Sequence, residues 1–161
     1  MIRTQLRRPV ARGQRAALVL TLGMIAMVSS ADARDACLLS AQQLQAATSR
    51  AFAPGEPTKA ADGSLLCAYA EQANPKRRLT IQVSSEKAKQ QFDSRVRLLS
   101  RGSASIALAG VGDAAYYNGT AAGVLMGDKL IAIGGLRRAS DPKIAPEKVA
   151  HLLQLAMDEA R

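Results

Sequence analysis

Apolar side chains return along this chain at two different spacings, and the changes from one to the other mark its elements. In AQQLQAATSRAF, Leu44, Ala47, Ala51 and Phe52 fall at offsets of three, seven and eight, one face of a helix. Ser40 three residues before Gln43 is a capping box, and Leu39 ahead of the cap with Leu44 beyond it has the spacing of a hydrophobic staple, so this helix starts at about Ala41. Pro54 and Gly55 stop it, and APGEPTKAADGS reads as an exposed loop. The period then becomes two. In SLLCAYA, Leu65, Cys67 and Tyr69 share a face, and after a turn through EQANPKRR, Leu79, Ile81 and Val83 alternate with Thr80, Gln82 and Ser84.

Helical spacing returns in EKAKQQFDSRVRLLS, where Ala88, Phe92, Val96 and Leu99 recur, up to a stop at Gly102. Three short apolar runs follow, AAYY, AGVLM and LIAIGG, separated by Asn118-Gly119 and Gly127-Asp128, dipeptides that supply the positive φ of tight hairpins. A last helix, introduced by Asp141-Pro142 and Pro146, aligns Val149, Leu152, Leu153, Ala156 and Ala160. The order is helix, two strands, helix, three strands, helix. Connections this short imply antiparallel neighbours and a buried face covered by helices. The expectation is an α+β two-layer sandwich, a mostly antiparallel sheet of about five strands covered by amphipathic helices.

Composition changes the picture first at the N-terminus. Arg3, Arg7, Arg8, Arg12 and Arg15 precede the 13-residue apolar run Ala16 to Val28, and Ala31-Asp32-Ala33 follows. A basic head, a short apolar run and a small-x-small site describe a secretory signal peptide. A bilayer span needs about 20 apolar residues. Residues 1–33 are therefore read as a signal peptide and 34–161 as a single α+β domain, periplasmic or secreted. Neither a twin-arginine consensus nor a lipobox before Cys37 is met. The signal holds five of the 22 basic residues and one of the 13 acids, leaving 17 against 12, a net charge of +5 rather than +9. Two cysteines, Cys37 and Cys67, in an oxidising compartment read as a disulfide, which stabilises a fold by about 2–4 kcal/mol.

Candidate chemistry is sparse. Gly110-Val-Gly112-Asp-Ala-Ala115 has the glycines of a dinucleotide fingerprint, but that motif needs a helix next, and Asn118-Gly119 comes too soon for one. The stretch is read as a turn into a hairpin, and no cofactor is expected. The single histidine, His151, lies opposite the apolar stripe of the last helix and faces solvent. With Glu147 it makes at most two metal ligands, so no metal site is assigned. No G-x-S-x-G occurs, and no catalytic residues are assigned. The basic clusters Lys76-Arg77-Arg78, Arg95 with Arg97 and Arg101, and Arg137-Arg138 are candidate anion-binding residues if two of them meet on one face. Arg95, at the edge of its apolar stripe, is expected to lay its stem on the core and keep its head wet.

Cys37-Leu-Leu-Ser40 with its helix, the Cys67-Ala-Tyr69 strand, the Gly112-Asp-Ala-Ala-Tyr116 turn and the Gly127-Asp-Lys-Leu130 hairpin, in that order, resemble small secreted bacterial domains of unknown function. These are similar to actinobacterial lipoproteins and, more distantly, to extracellular sensor domains of bacterial serine/threonine kinases. The resemblance implies an α/β sandwich with a Cys37–Cys67 bridge and no established activity. The expected function is that of a non-catalytic domain binding a partner protein or a cell-envelope component. The alternatives are electrostatic binding of an anionic polymer, envelope polysaccharide or nucleic acid, and a hydrolase of unfamiliar type. A concave apolar groove empty of ionisable groups would support the non-catalytic reading, and a pocket gathering three or more convergent acids or bases would count against it.

Overall fold

The computed structural model describes residues 36–99 and 105–161. The signal-peptide reading of residues 1–33, Arg101 and the Gly102 helix stop lie outside these. The described chain is α+β, with seven antiparallel strands and, among the described residues, three helices.

Helix α1, Ala41–Thr48, carries the capping box: Gln43 N donates to Ser40 Oγ and Ser40 N to Gln43 Oε1. It is shorter than the periodicity suggested. Ser49 turns left-handed at φ 58°, so Ala51 and Phe52 leave the helix, and Phe52 bridges to Glu71 instead. Strands β1, Glu56–Lys59, β2, Leu65–Glu71, and β3, Asn74–Ser84, form an antiparallel meander. Helix α2, Ala88–Leu99, is followed by β4, Ile106–Ala107, β5, Ala114–Tyr117, β6, Ala122–Met126, and β7, Lys129–Gly134. Helix α3, Pro146–Glu159, closes the fold. The strand order is β1-β2-β3-β7-β6-β5-β4, so two meanders meet where β3 pairs with β7.

Two expectations need correction. The sheet has seven strands, because both edges come from segments not read as strands: EPTK, expected as loop, is β1, and Ile106-Ala107 is β4. Every residue of these two strands is exposed, so neither has an inward phase to reveal it. Helices also cover both faces. Leu65, Cys67 and Tyr69 of β2, Leu79 and Ile81 of β3, and Ile131 and Ile133 of β7 share one face by their register and pack with Leu44 of α1 and Val149, Leu152, Leu153 and Ala156 of α3. On the other face Tyr116, Leu125 and Leu130 pack against Ala88 and Phe92 of α2, with the Phe92 and Tyr116 rings 5.5 Å apart.

The bridge between Cys37 and Cys67 is formed, with Cys67 buried and Cys37 half-buried, beside Tyr69, whose hydroxyl donates to Leu39 O and ties the segment before α1 to the sheet. Burial pushes the Tyr69 phenol up, and the bond to Leu39 opposes this. The GVGDAAYY stretch is a turn into β5. Gly112 sits at φ +57°, where a Cβ would meet Leu125 O at 2.5 Å, and Asp113 Oδ2 accepts from Gly127 N across the β5–β6 hairpin. No helix follows it, so the fingerprint has no phosphate-binding context.

Candidate functional site

The strand phase that builds the core also places two charges in it. In β2 the inward series Cys67, Tyr69 ends in Glu71, which is buried after a bulge at Ala70/Glu71. In β3 the inward series Leu79, Ile81 extends back to Arg77. A buried charge requires a partner, and the fold supplies a cluster of four. Arg50, just past α1, has Nη1 3.7 Å from Glu71 Oε2 and 3.8 Å from Asp141 Oδ2. Arg77 Nη1 lies 3.9 Å from each of the same two residues. Arg50 Nη2 also donates to Gly135 O and Leu136 O, and its guanidinium stacks on Phe52. One side chain thus holds together the exit from β7, the end of β2 and the segment before α3.

These ion pairs are looser than direct hydrogen bonds, which close at about 2.7–3.2 Å. Glu71 Oε2 and Arg77 Nε are buried and have no hydrogen-bond partner. The Asp141 carboxyl is held below its ordinary value, first by the backbone N–H of Arg138, then by Arg50 and Arg77.

A groove opens over this cluster. Its central cavity, about 340 Å³, is lined by Arg50, Glu71, Asp141, Lys143, Ile144 and Lys148, among others. On one side it shares Ala47 and Lys148 with an apolar slot of about 220 Å³ between α1 and α3, floored by Leu152 and Leu155 and rimmed by His151. On the other it shares Lys143, Ile144 and Ala145 with a wider depression beside Tyr117 and Arg137. The groove gathers several acids and bases, the feature that would speak for catalysis, but Glu71 and Asp141 both face the same two guanidiniums and serve as their counter-ions.

The candidate anion-binding residues divide. Clusters 76–78 and 137–138 come to one end of the β3/β7 seam, where Thr80 pairs with Gly134 and Asp141 contacts both Arg77 and the Arg138 backbone. There Lys76 and Arg138 are exposed, and Arg78 lies 3.8 Å from Glu56. Arg77 is taken up by the buried cluster. Arg137 donates to the carbonyls of Gly119, Ala139 and Asp141. Arg95 and Arg97 are on α2, which packs on the other face. Arg95 donates to Gln82 Oε1, which belongs to a polar chain in which Gln82 Nε2 donates to Ser64 Oγ and Ser64 Oγ to Asp62 Oδ1. Its head is therefore bound on the sheet and half-buried. Arg97 is exposed and donates to Asp93 O. Two of the three clusters thus meet at one end of the seam, and Arg95 and Arg97 of the third lie on the other face.

Among the described residues no group of three or more His, Cys, Asp or Glu side chains is placed to hold a metal, and no helix is long and apolar enough to cross a membrane. His151 is exposed, as its helix phase implied. Comparison with protein families, with curated proteins and with solved structures finds no match to this chain.

Proposed function

We propose that this chain is a non-catalytic binding domain of the periplasm or extracellular space, and that its partner protein or envelope component lies in the groove along the N-terminal half of α3. The observation that carries this reading is the pairing of an apolar slot with a polar cavity whose acids already have their counter-ions. Recognition sites are typically concave and mostly apolar, with a few placed polar groups. Electrostatic capture of an anionic polymer has weaker support, because Arg77, Arg95 and Arg137 direct their donors inward.

Hydrogen exchange with and without a cell-envelope extract tests the reading. Protection confined to residues 43–50 and 141–155 is the expected result. Turnover of a substrate in a broad hydrolase screen, abolished by Arg50→Ala in protein that stays folded, would overturn it.

A further inference from the structure

Resting on that reading, we infer that the groove takes a single-chain amphiphile with an anionic head, its tail between α1 and α3 and its head at Lys143 and Lys148. Charge complementarity carries the first half of this. Of the charge cluster, Arg50, Glu71 and Asp141 line the central cavity, and Arg77 behind them completes the balance, two against two. Lys143 and Lys148 line the same cavity, are exposed, and have no ion-pair or hydrogen-bond partner for their ammonium groups among the described residues. The uncompensated charge of the groove is therefore positive and sits at one place.

Shape and polarity carry the second half. The slot that adjoins the lysines at Ala47 and Lys148 is lined by Ala46, Ala47, Leu152 and Leu155, with Gln43 and His151 at its edges. Its volume of about 220 Å³ is more than ten times the roughly 10–15 Å³ that a single water needs, room for an alkyl segment. Lys148 lines both the slot and the cavity, a boundary at which a long cationic side chain can bury its stem and keep its charge in water. Carboxylate and phosphate heads share the chemistry that two ammonium groups recognise, and the probes separate them.

Isothermal titration of the protein with decanoate, decyl phosphate, decanol, decyltrimethylammonium and inorganic phosphate, all below micelle-forming concentrations, tests the inference. Saturable 1:1 binding of decanoate, decyl phosphate or both is expected, with decanol and the cation at least tenfold weaker. Lys143→Met with Lys148→Met keeps the stems and removes the charge, and should weaken the anionic amphiphile about tenfold while leaving decanol unchanged. Ala46→Glu, at an exposed position on the slot, should weaken it without altering the unfolding midpoint. Equal binding of all four decyl compounds, binding of inorganic phosphate as tight as decyl phosphate, or no effect of the lysine substitutions overturns the inference. If no amphiphile binds but envelope extract still protects residues 43–50 and 141–155, the amphiphile is the wrong ligand and the binding domain stands.

Discussion

Replacing Gly55 by alanine places a methyl group between the disulfide and the Tyr69 ring. Its Cβ would stand 2.4 Å from Cys67 Sγ, 2.7 Å from Tyr69 Cε1 and 2.9 Å from Cys37 Sγ. Non-bonded heavy atoms attract best at about 3.5–4.0 Å, so all three contacts are repulsive. Cys67 and Tyr69 are fully buried and have nowhere to retreat. Overpacking of this kind costs about 1–3 kcal/mol, and the stiffer unfolded chain returns about 0.4–1 kcal/mol. The expected net loss is about 1–2 kcal/mol, read as a lower urea midpoint at unchanged slope. The decisive comparison uses Cys37→Ala with Cys67→Ala, which removes two of the three overlaps. That background loses roughly 3–4 kcal/mol through the opened loop of separation 30. Within it Gly55→Ala should cost at least about 1 kcal/mol less than in the oxidised protein. An equal cost in both backgrounds, or a neutral effect in the oxidised one, would refute the reasoning.

The other predictions concern the charge cluster. Because the folded Asp141 carboxyl lies below its unfolded value of 3.8, its stabilisation is present above that value and is lost as pH falls through the folded one. Asp141→Asn should therefore shallow the loss of stability below pH 4, and an acid limb as steep as wild type would contradict the assignment. Arg50→Ala, by leaving Glu71 buried without its nearest counter-ion, should cost about 3 kcal/mol and speed hydrogen exchange around residues 135–141. Exposed Arg97→Ala should stay within about 0.5 kcal/mol, and similar losses for the two would remove the cluster's structural role.

The sequence discloses those parts of the fold in which one residue's surroundings are decided by near neighbours. Ser40 and Gln43 cap α1 whatever lies beyond it, and Asn118-Gly119 and Gly127-Asp128 turn their hairpins locally. The edges were illegible because their residues face water on all sides. The second helical layer is legible in the strand patterns themselves. AAYY, AGVLM and LIAIGG are nearly continuous apolar runs, the mark of strands buried on both faces, whereas β3 alternates. The candidate site was half legible. Glu71 and Arg77 fall on the inward phase of their strands, where a charge announces a buried partner. Arg50, Asp141, Lys143 and Lys148 lie in irregular segments or at a helix start, and only the tertiary fold brings them together. The basic runs drew attention because they were dense, but density along a chain does not decide whether guanidiniums turn outward or meet carbonyls.

The β3/β7 seam sets the order in which the molecule can be finished as it is synthesised. The inner flank of β3, Thr80 to Ser84, finds its partner only in Leu130 to Gly134, after α2 and three further strands have been made. The sheet is completed from its rims toward its middle. A chain cut short before residue 129 would carry a bare five-residue edge along β3, so such truncation products are expected to associate edge to edge rather than persist as monomers.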